Sequence, residues 1–401
     1  MKNPTCLAAF AAGSFAIAKI GNYQSIPDQA QLINQLDIAR AHNVLSPSLA
    51  NWSTVFLPPG STYKSLRAKP FHVYNKDFLS IIGENPTLTL VHETNSDPIF
   101  HKAATWYPDQ DKIFFSQNAG ALAARTRLNK SSVIQKISIE EAATAAKRGS
   151  APNVNVTIIG KYPKVINPNS KSLKSGYSVL QRAILTRQGI GEDIGPAILI
   201  VNPEAPYNAT VILTSFYGRQ FNSINNVMVH PKNSELYFTD TTYAYLQYFQ
   251  PPPALPNQVY RFNPDTGALT VVADNFVGQP NSITFSPDSN KAYVANSSTD
   301  LALIGDVQLD STFDNRKVFT IVHQGIPDSL HCNHNSNLYV SNAEGVIVYN
   351  PSGKLLGKIY TSVTSANFMF AYGGRLVILS KTKLWYATIA AEGGEPVHSI
   401  C

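Results

Sequence analysis

The chain has 401 residues, of which 44% are hydrophobic and only 14% are charged. This length allows one large, repeat-built β domain with a sizeable core. The net charge of +6 is mild, and the Lys and Arg residues are scattered without a basic run among aromatics, which argues against nucleic-acid binding.

The first 18 residues have the pattern of a secretory signal peptide. Lys2 supplies a positive charge, and "CLAAFAAGSFAIA" (6–18) is apolar but too short to span a bilayer. We expect cleavage after Ala18; a buried N-terminal helix is the alternative. No other segment is long and apolar enough to cross a membrane, so we expect a soluble mature protein in the extracellular space or a vesicular lumen.

Cysteines and sequons agree with a secretory route. Cleavage would remove Cys6, and a disulfide between Cys332 and Cys401 could then form in an oxidising compartment; two unpaired thiols are the alternative. Candidate N-glycosylation sites occur at Asn51, Asn129, Asn155, Asn208 and Asn296.

Two regions differ in pattern along the mature chain. We predict an N-terminal extension over 19–70, in which "DQAQLINQLDIARAHNV" (28–44) has apolar residues at partly helical spacing. From about residue 71 the pattern changes to short strands separated by turns, and "NPTLTLVHE" (85–93) is one such strand. We therefore assign 71–401 to one all-β domain.

One unit recurs through this domain: a short apolar strand, a turn built on Pro, Asn or Asp, and a second strand with aromatics. Its copies are "AATWYPDQDKIFFSQN" (103–118), "NVMVHPKNSELYFTDT" (226–241), "SITFSPDSNKAYVANS" (282–297), "SLHCNHNSNLYVSNAEGVIVYN" (329–350) and the weaker "ANFMFAYGGRLVILSKTKLWYA" (366–387). The last four begin about 40–55 residues apart, which is the length of a four-stranded blade. The pattern predicts a six-bladed β-propeller.

The span 119–190 interrupts this repeat. "SIEEAATAAKRG" (138–149) predicts a helix with Ser138 as N-cap and Gly149 as the C-terminal stop, and "NPNSKSLKSG" (167–176) predicts a polar loop. We interpret the span as an insertion within one blade. Further along, the Pro-rich stretch "YFQPPPALPNQ" (248–258) predicts a rigid turn before a strand.

Polar residues stand at the start of several predicted blade strands. In a propeller the starts of the innermost strands converge on one mouth of the central channel. Polar groups buried there without partners cost free energy, so a shared polar site is favoured over core packing, although each group taken singly could cap a strand. The segments are His101-Lys102, Ser223-Ile224-Asn225-Asn226, Pro280-Asn281-Ser282 and Pro327-Asp328-Ser329.

These segments resemble the gluconolactonase/regucalcin/strictosidine-synthase-like propellers, and most closely their fungal lactonohydrolase-like branch. The similarity lies in "FHVYNKDFLSIIGENPTLTL" (71–90), "PYNATVILTSFYGRQFNSINNV" (206–227), "LPNQVYRFNPDTG" (255–267), "QPNSITFSPD" (279–288) and "IPDSLHCN" (326–333). It implies a six-bladed β-propeller with a small-molecule site at the channel mouth, usually built around one Ca²⁺-type ion.

The resemblance places the family's metal ligands on this chain position by position. The blade-one glutamate falls on Lys102, the second-blade asparagine on Asn225, and the next two ligands on Asn281 and Asp328. Lysine offers no acceptor and would repel a divalent ion; alternatively its ammonium could occupy the place of the ion. We therefore predict a site without a cofactor, with Ca²⁺ on Asn281 and Asp328 as the alternative.

The resemblance leaves three functions open. The first is a metal-independent transformation of an apolar small molecule, of the dehydration and hetero-Diels–Alder type associated with some fungal relatives in secondary metabolism. The second is a Ca²⁺-dependent lactonase that hydrolyses a lactone, and the third is a non-catalytic binding propeller. We favour the first because of Lys102.

In the favoured hypothesis Lys102 donates hydrogen bonds to an oxygen that gains charge, Asp328 and Tyr243 handle protons, and Asn225 completes the catalytic group. The predicted substrate contacts are His101, Trp106, Asn226, Asn281 and Tyr245. His101 would point to the opposite face of the strand from Lys102, where a histidine packed between blades is the alternative. A one-residue register slip would exchange the two side chains.

Overall fold

Short strands and tight turns account for most of the described chain, and the strands form the blades of a six-bladed β-propeller. This confirms the predicted fold class. The computed structural model describes residues 25–42, 44–46, 48, 56–118, 121–122, 133–149, 153–160, 183–189 and 191–394. The predicted signal peptide lies outside these residues. Within them, no helix has the length and apolar character needed to span a membrane.

The elements before the first blade attach to blades that come later in the chain. They are β1 (Ala30–Leu32), α1 (Gln35–Ala39), α2 (Tyr63–Ala68), β2 (Phe71–Val73), α3 (Asp77–Ile82) and β3 (Thr87–Glu93). β1 pairs in parallel with β2, with Ala30 opposite Phe71. The helix predicted from residue 28 is therefore wrong at its beginning, because backbone pairing overrides the partial helical spacing. The helix that follows has only 5 residues, after the N-cap Asn34.

Blade one contains the helix predicted within the span 119–190, but that span is not an insertion within one blade, because residues 183–187 form a strand of the next blade. The elements of blade one are β4 (Lys102–Tyr107), β5 (Lys112–Ser116), β6 (Ile134–Ser138), α4 (Ile139–Arg148) and β7 (Thr157–Gly160). The Ser138 side chain accepts from the Glu141 amide, and Gly149 ends α4 at a φ of 65°. Both predicted boundaries of this helix are confirmed. Its buried face joins the core between blades one and six.

Blade two was not recognised in the sequence. It contains β8 (Ala183–Arg187), β9 (Ala197–Val201) and β10 (Ala209–Leu213), followed by a hairpin of β11 (Ser215–Phe216) and β12 (Arg219–Gln220). All five residues of β9 are buried, so this strand lacks the alternation of a half-exposed strand. The repeat motif consequently counts the following blade as second when it is third.

Blades three and four each have four antiparallel strands. Blade three contains β13 (Ile224–Val229), β14 (Leu236–Asp240), the short helix α5 (Tyr243–Leu246), β15 (Gln258–Phe262) and β16 (Leu269–Ala273). Blade four contains β17 (Pro280–Phe285), β18 (Lys291–Asn296), β19 (Leu301–Val307) and β20 (Phe313–Ile321). The predicted Pro-rich turn lies between α5 and β15.

Blades five and six take up the N-terminal strands. Blade five contains β21 (Leu330–Cys332), β22 (Leu338–Asn342), β23 (Gly345–Tyr349) and β24 (Leu355–Tyr360), which pairs with β2. Blade six contains β25 (Asn367–Ala371), β26 (Arg375–Ser380) and β27 (Lys383–Thr388), which pairs with β3. The pairing of β27 with β3 joins the two ends of the propeller in one sheet and closes the ring.

Three inner strands carry an irregularity at the same place, immediately after their first residue. The register shifts between Lys102 and Thr105 in β4, between Ile224 and Val227 in β13, and between Pro280 and Ile283 in β17. A bulge re-aims the side chains around it. The bulges fall on the residues that begin the inner strands, and these are the polar segments singled out in the sequence.

Candidate active site

Lys102 is the centre of a polar group that joins three blades. Its Nζ donates a hydrogen bond of 2.8 Å to Asn281 Oδ1 and forms an ion pair with Asp328 Oδ1. Asn281 Nδ2 donates to the same oxygen of Asp328 at 2.8 Å. The Lys102 and Asp328 side chains are 23% and 15% exposed, so the pair is partly shielded from water. The ammonium thus reaches from blade one to residues at the start of blades four and five.

Both the side-chain amide and the backbone carbonyl of Asn281 are held by neighbouring hydroxyl groups. Its Nδ2 also donates to Ser297 Oγ at 2.9 Å, and Ser297 Oγ donates to the Pro327 carbonyl at 2.7 Å. Thr239 Oγ1 donates to the Asn281 carbonyl at 2.6 Å. Ser297 was missed in the sequence, where it was considered only as part of the Asn296 sequon. Its position directly after the second strand of a blade, beside the start of the first strand, is the signal that could have identified it.

Asn226 and Ser282, the polar residues that follow Asn225 and Asn281, each accept a hydrogen bond from the next blade. The Ile283 amide donates to Asn226 Oδ1 at 3.0 Å, and the Leu330 amide donates to Ser282 Oγ at 3.0 Å. Successive side chains of an extended strand point to opposite sides, so one member of each pair reaches the mouth and the other reaches the neighbouring blade. Asn226 therefore serves the packing between blades three and four, and its predicted substrate contact stays a prediction.

Asn225 and His101 bring polar atoms that have no hydrogen-bond partner within the described residues. These atoms are Asn225 Oδ1 and His101 Nδ1, and both are buried. The backbone of Asn225 is held from blade two, since Thr186 Oγ1 donates to its carbonyl at 3.1 Å. Burial lowers the pKa of His101 to about 4, against an opposing effect of Asp328, so its imidazole is neutral at physiological pH. Buried polar atoms are normally paired, so these two atoms are candidates for contact with a ligand or a water molecule.

Tyr243 reaches the same group from α5. Burial raises its pKa to about 12, while hydrogen bonds to Ser297 and Asn281 act in the opposite direction. Its phenol is therefore protonated and can donate a hydrogen bond. Tyr245 lies two residues further along the same helix, is 44% exposed and is not part of the polar group. α5 thus contributes one buried phenol and one exposed ring.

Trp106 has partners within blade one and on blade six. It follows Lys102 by four residues, or about 13 Å of extended chain. Its Nε1 donates to Asp111 Oδ1 at 3.0 Å, and its ring packs edge-on against Tyr372 at 4.6 Å between centroids. Trp106 therefore helps join blade one to blade six, and its predicted substrate contact stays a prediction.

The predicted modification sites fall into three groups. Asn51, Asn129 and Cys401 lie outside the described residues, so the disulfide to the buried Cys332 stays a prediction. Asn155 is exposed and Asn208 is half-buried. Asn296 is 4% exposed within β18, where the folded chain has no room for a glycan, and that candidate is wrong for the folded state.

The Lys102 ammonium occupies two of the oxygens that the resemblance assigns to a divalent ion, Asn281 Oδ1 and Asp328 Oδ1. A divalent ion would have to displace this ammonium to bind there. Ca²⁺ requires several oxygen ligands and an excess of negative charge, whereas here one carboxylate is already neutralised. Among the described residues, no group of three or more His, Cys, Asp or Glu side chains is placed to hold a metal ion.

Comparison with known proteins agrees with this architecture. The chain is 21% identical over 340 residues to the lactonohydrolase oryL of Aspergillus oryzae, covering 78% of this chain and 72% of that protein. It is 29% identical over 175 residues to a gluconolactonase of Zymomonas mobilis, covering 41% and 48%. The solved structure of a gluconolactonase from Xanthomonas campestris superposes with a TM-score of 0.61 at 22% identity, covering 80% of this chain and 94% of that one, which supports the fold.

A family model matches the part of the chain that carries most of the polar group. The model is described as SMP-30/Gluconolactonase/LRE-like region and matches residues 175–381, just over half of the 401 residues. The matched span contains Asn225, Asn281 and Asp328, whereas Lys102 lies before it. The chain therefore belongs to the SMP-30/gluconolactonase/LRE-like family of β-propellers.

Proposed function

We propose that this protein is a secreted enzyme that transforms a small organic molecule at the propeller mouth without a divalent ion. The observation that carries the proposal is the Lys102 ammonium bound to Asn281 Oδ1 and Asp328 Oδ1. A positive group fixed in a partly dry site can stabilise charge that develops on a substrate oxygen. In this proposal the ammonium takes over the electrostatic task that a bound ion has in other enzymes.

The ammonium has a donor to spare for this task. A protonated lysine carries three N–H groups, and two of those on Lys102 are directed at Asn281 and Asp328. The third can donate to a carbonyl or hydroxyl oxygen of the substrate. Because Asp328 and Asn281 hold the ammonium in place, little reorganisation is needed when charge develops.

The reaction that we favour is loss of water from an alcohol followed by ring closure, as in a hetero-Diels–Alder step on an apolar substrate. In a β-hydroxy carbonyl substrate, Lys102 would bind the departing hydroxyl, which takes a proton from the neutral phenol of Tyr243 and leaves as water, while the Asp328 carboxylate removes a proton from the carbon between the hydroxyl-bearing and carbonyl carbons. The resulting enone is the oxadiene, which adds to an alkene of the substrate without further proton transfer. Return of the proton from Asp328 to Tyr243 restores both groups. Such a reaction depends on positioning in a shielded site more than on a metal.

Lactone hydrolysis is the second candidate, because the relatives with the longest matches are named lactonohydrolase and gluconolactonase. Here Lys102 would polarise the lactone carbonyl while Asp328 takes a proton from water, and cleavage of the ring ester gives a hydroxy acid. The mouth offers the same groups for both reactions. The substrate therefore decides between them.

The test combines two substrate panels with chelation. Chelator-treated protein would be assayed on lactones and on alcohols whose dehydration gives an oxadiene, with Lys102→Met beside wild type and Lys112→Met as a lysine control on the same blade. We expect turnover that resists chelation and falls at least about a hundredfold in Lys102→Met only. Activity that disappears with chelator and returns with Ca²⁺ would refute the proposal. Binding without turnover on both panels would favour a non-catalytic propeller.

A further inference from the structure

A second ion pair lies inside the protein, away from the channel mouth. Lys358 in β24 pairs with Glu344 in the turn between β22 and β23, and their side chains are only 3% and 6% exposed. Lys358 Nζ also donates to Gln324 Oε1 at 2.7 Å. These three side chains, Lys358, Glu344 and Gln324, are called the buried triad below.

The buried triad is attached to the loop that leads into Asp328. The carbonyl of Gln324 accepts from Asn342 Nδ2 at 2.8 Å and from the Ala343 amide at 3.3 Å. Gly325 follows at a φ of 70°, and a Cβ on it would lie 2.4 Å from the Cβ of Ala343. The loop is therefore pressed against the β22–β23 turn immediately before Ile326, Pro327 and Asp328.

The other end of this loop is fixed at Asp328. Its amide donates to the Ser341 carbonyl at 3.1 Å, on the strand that precedes the β22–β23 turn. The loop 324–328 thus spans from the buried triad to the ion pair of the mouth, with backbone bonds to blade five at both ends. The N-terminal segment adds a further bond, because Gln324 Nε2 donates to the Phe56 carbonyl at 3.1 Å.

Stability alone does not account for a charged pair at this depth. Moving two charges out of water costs free energy that their attraction often fails to recover, and apolar residues of similar size can stabilise a core at least as well. A buried pair does, however, accept few alternative geometries, because each charge must keep its partner. Such a pair is suited to fixing the position of a loop.

We infer that the buried triad is a positioning network that sets the Asp328 carboxylate against the Lys102 ammonium. Lys358, Glu344 and Gln324 act through the loop 324–328 and touch no substrate. The inference rests on the proposed function in taking the Lys102–Asp328 pair as the working centre. Its test reads the Lys102 amine directly and needs no substrate, so it can fail or succeed independently of that function.

The test measures how fast Lys102 is modified by an amine-selective reagent, with the labelled peptide quantified by mass spectrometry. A lysine amine that is held by a carboxylate and an amide oxygen is shielded from the reagent. In the double variant Lys358→Met/Glu344→Leu we expect a folded protein in which Lys102 labels about tenfold faster than in wild type. The matched control is Lys354→Met/Asp77→Leu, which removes the exposed pair at 3.4 Å beside the same blade.

A second variant covers the case in which the double variant does not fold. Gln324→Leu leaves the Lys358–Glu344 pair intact but removes its link to the loop, together with the bond to the Phe56 carbonyl, and we expect Lys102 labelling to rise about threefold. If Lys102 in the folded double variant, or in Gln324→Leu where the double variant fails to fold, labels within about twofold of wild type, the triad has only a structural role and the inference is overturned.

Discussion

Lys102 is the residue whose replacement should change the character of the site most. Lys102→Glu would remove the ammonium and place a third oxygen-bearing side chain beside Asn281 and Asp328. That set has the net negative charge that Ca²⁺ prefers. We expect calorimetric titration to show Ca²⁺ binding in Lys102→Glu and none in chelator-treated wild type, with a raised melting temperature of the variant when Ca²⁺ is present.

One control variant and one contradicting outcome define the test of this prediction. Lys102→Gln supplies an oxygen without the charge and should bind Ca²⁺ at least about tenfold more weakly than Lys102→Glu. Tight Ca²⁺ binding by wild type would contradict the prediction, since the ammonium would then have to leave Asp328 at little cost.

His72 makes folding stability depend on pH. It is 1% exposed beneath the N-terminal segment, its Nε2 hydrogen-bonds the Leu66 carbonyl at 3.1 Å, and its ring stacks on Tyr360. Burial lowers its pKa from 6.5 to about 4. The unfolded chain then binds more protons than the folded one between these values, so stability is present above pH 6.5 and is lost as the pH falls towards 4.

We expect His72 to contribute up to about 3 kcal/mol to this loss. Urea unfolding of His72→Gln, followed from about pH 7.5 down to pH 4.5, should show a shallower decline in the free energy of unfolding than wild type. His334→Gln, at an exposed histidine, is the control and should follow wild type. Parallel curves for His72→Gln and wild type would show that the acid sensitivity lies elsewhere.

At the scale of the strand, the polar residues that begin the inner strands come in pairs, and this pairing separates the site from the joint between blades. In each pair one residue serves the mouth and the other serves the joint between blades, as Asn281 and Ser282 do. The mouth residue can therefore change without loosening the ring. Conversely, a change at the joint should affect stability more than the site.

Ser282→Ala tests this division. It removes the acceptor of the buried Leu330 amide, and leaving that amide unpaired should cost about 1–3 kcal/mol. Ser80→Ala, at an exposed position of α3, is the control and should change stability by less than about 0.5 kcal/mol. The prediction fails if Ser282→Ala leaves the free energy of unfolding unchanged while altering Lys102 labelling.

The sequence predicted most elements whose cause is local. The cap at Ser138 and the stop at Gly149 are local signals, and the α4 helix has the predicted bounds. Blade two was missed because its strands lack the turn pattern of the others and β9 is buried on both faces. The partners of Trp106 and Asn226, which are Asp111 and the Ile283 amide, could not be predicted from the sequence because the packing of strands and blades decides them.

At the scale of the whole molecule, several described contacts close the ring. β3 completes the sheet of blade six, and Arg375 Nη1 in that blade pairs with Asp111 Oδ2 of blade one at 2.6 Å. A further closure is predicted at the C-terminal side. Gly394 donates from its amide to the Cys332 carbonyl at 2.7 Å, which brings the chain that leads to Cys401 beside Cys332.

Peptide mapping without reduction checks both the predicted disulfide and the predicted secretion of the protein. We expect a Cys332–Cys401 linked peptide and a mature N-terminus at Lys19. Cys401→Ser should then lower stability by about 4 kcal/mol, because the bond closes a long loop of the unfolded chain. Recovery of Cys401 as an alkylated thiol, or of an intact N-terminus, would contradict these expectations.

The amino-acid sequence by itself determined the class of the fold and singled out Lys102, Asn281 and Asp328 as candidate site residues. Strand and turn patterns depend on neighbours in the chain, so the repeat of short strands indicated a β-propeller, and the length of the domain relative to one repeat indicated about six blades. Only the tertiary structure decided which of these residues meet. The contact of Lys102 with Asn281 and Asp328 joins residues about 180 and 230 positions apart in the sequence. The closure of the ring brings their side chains together in space.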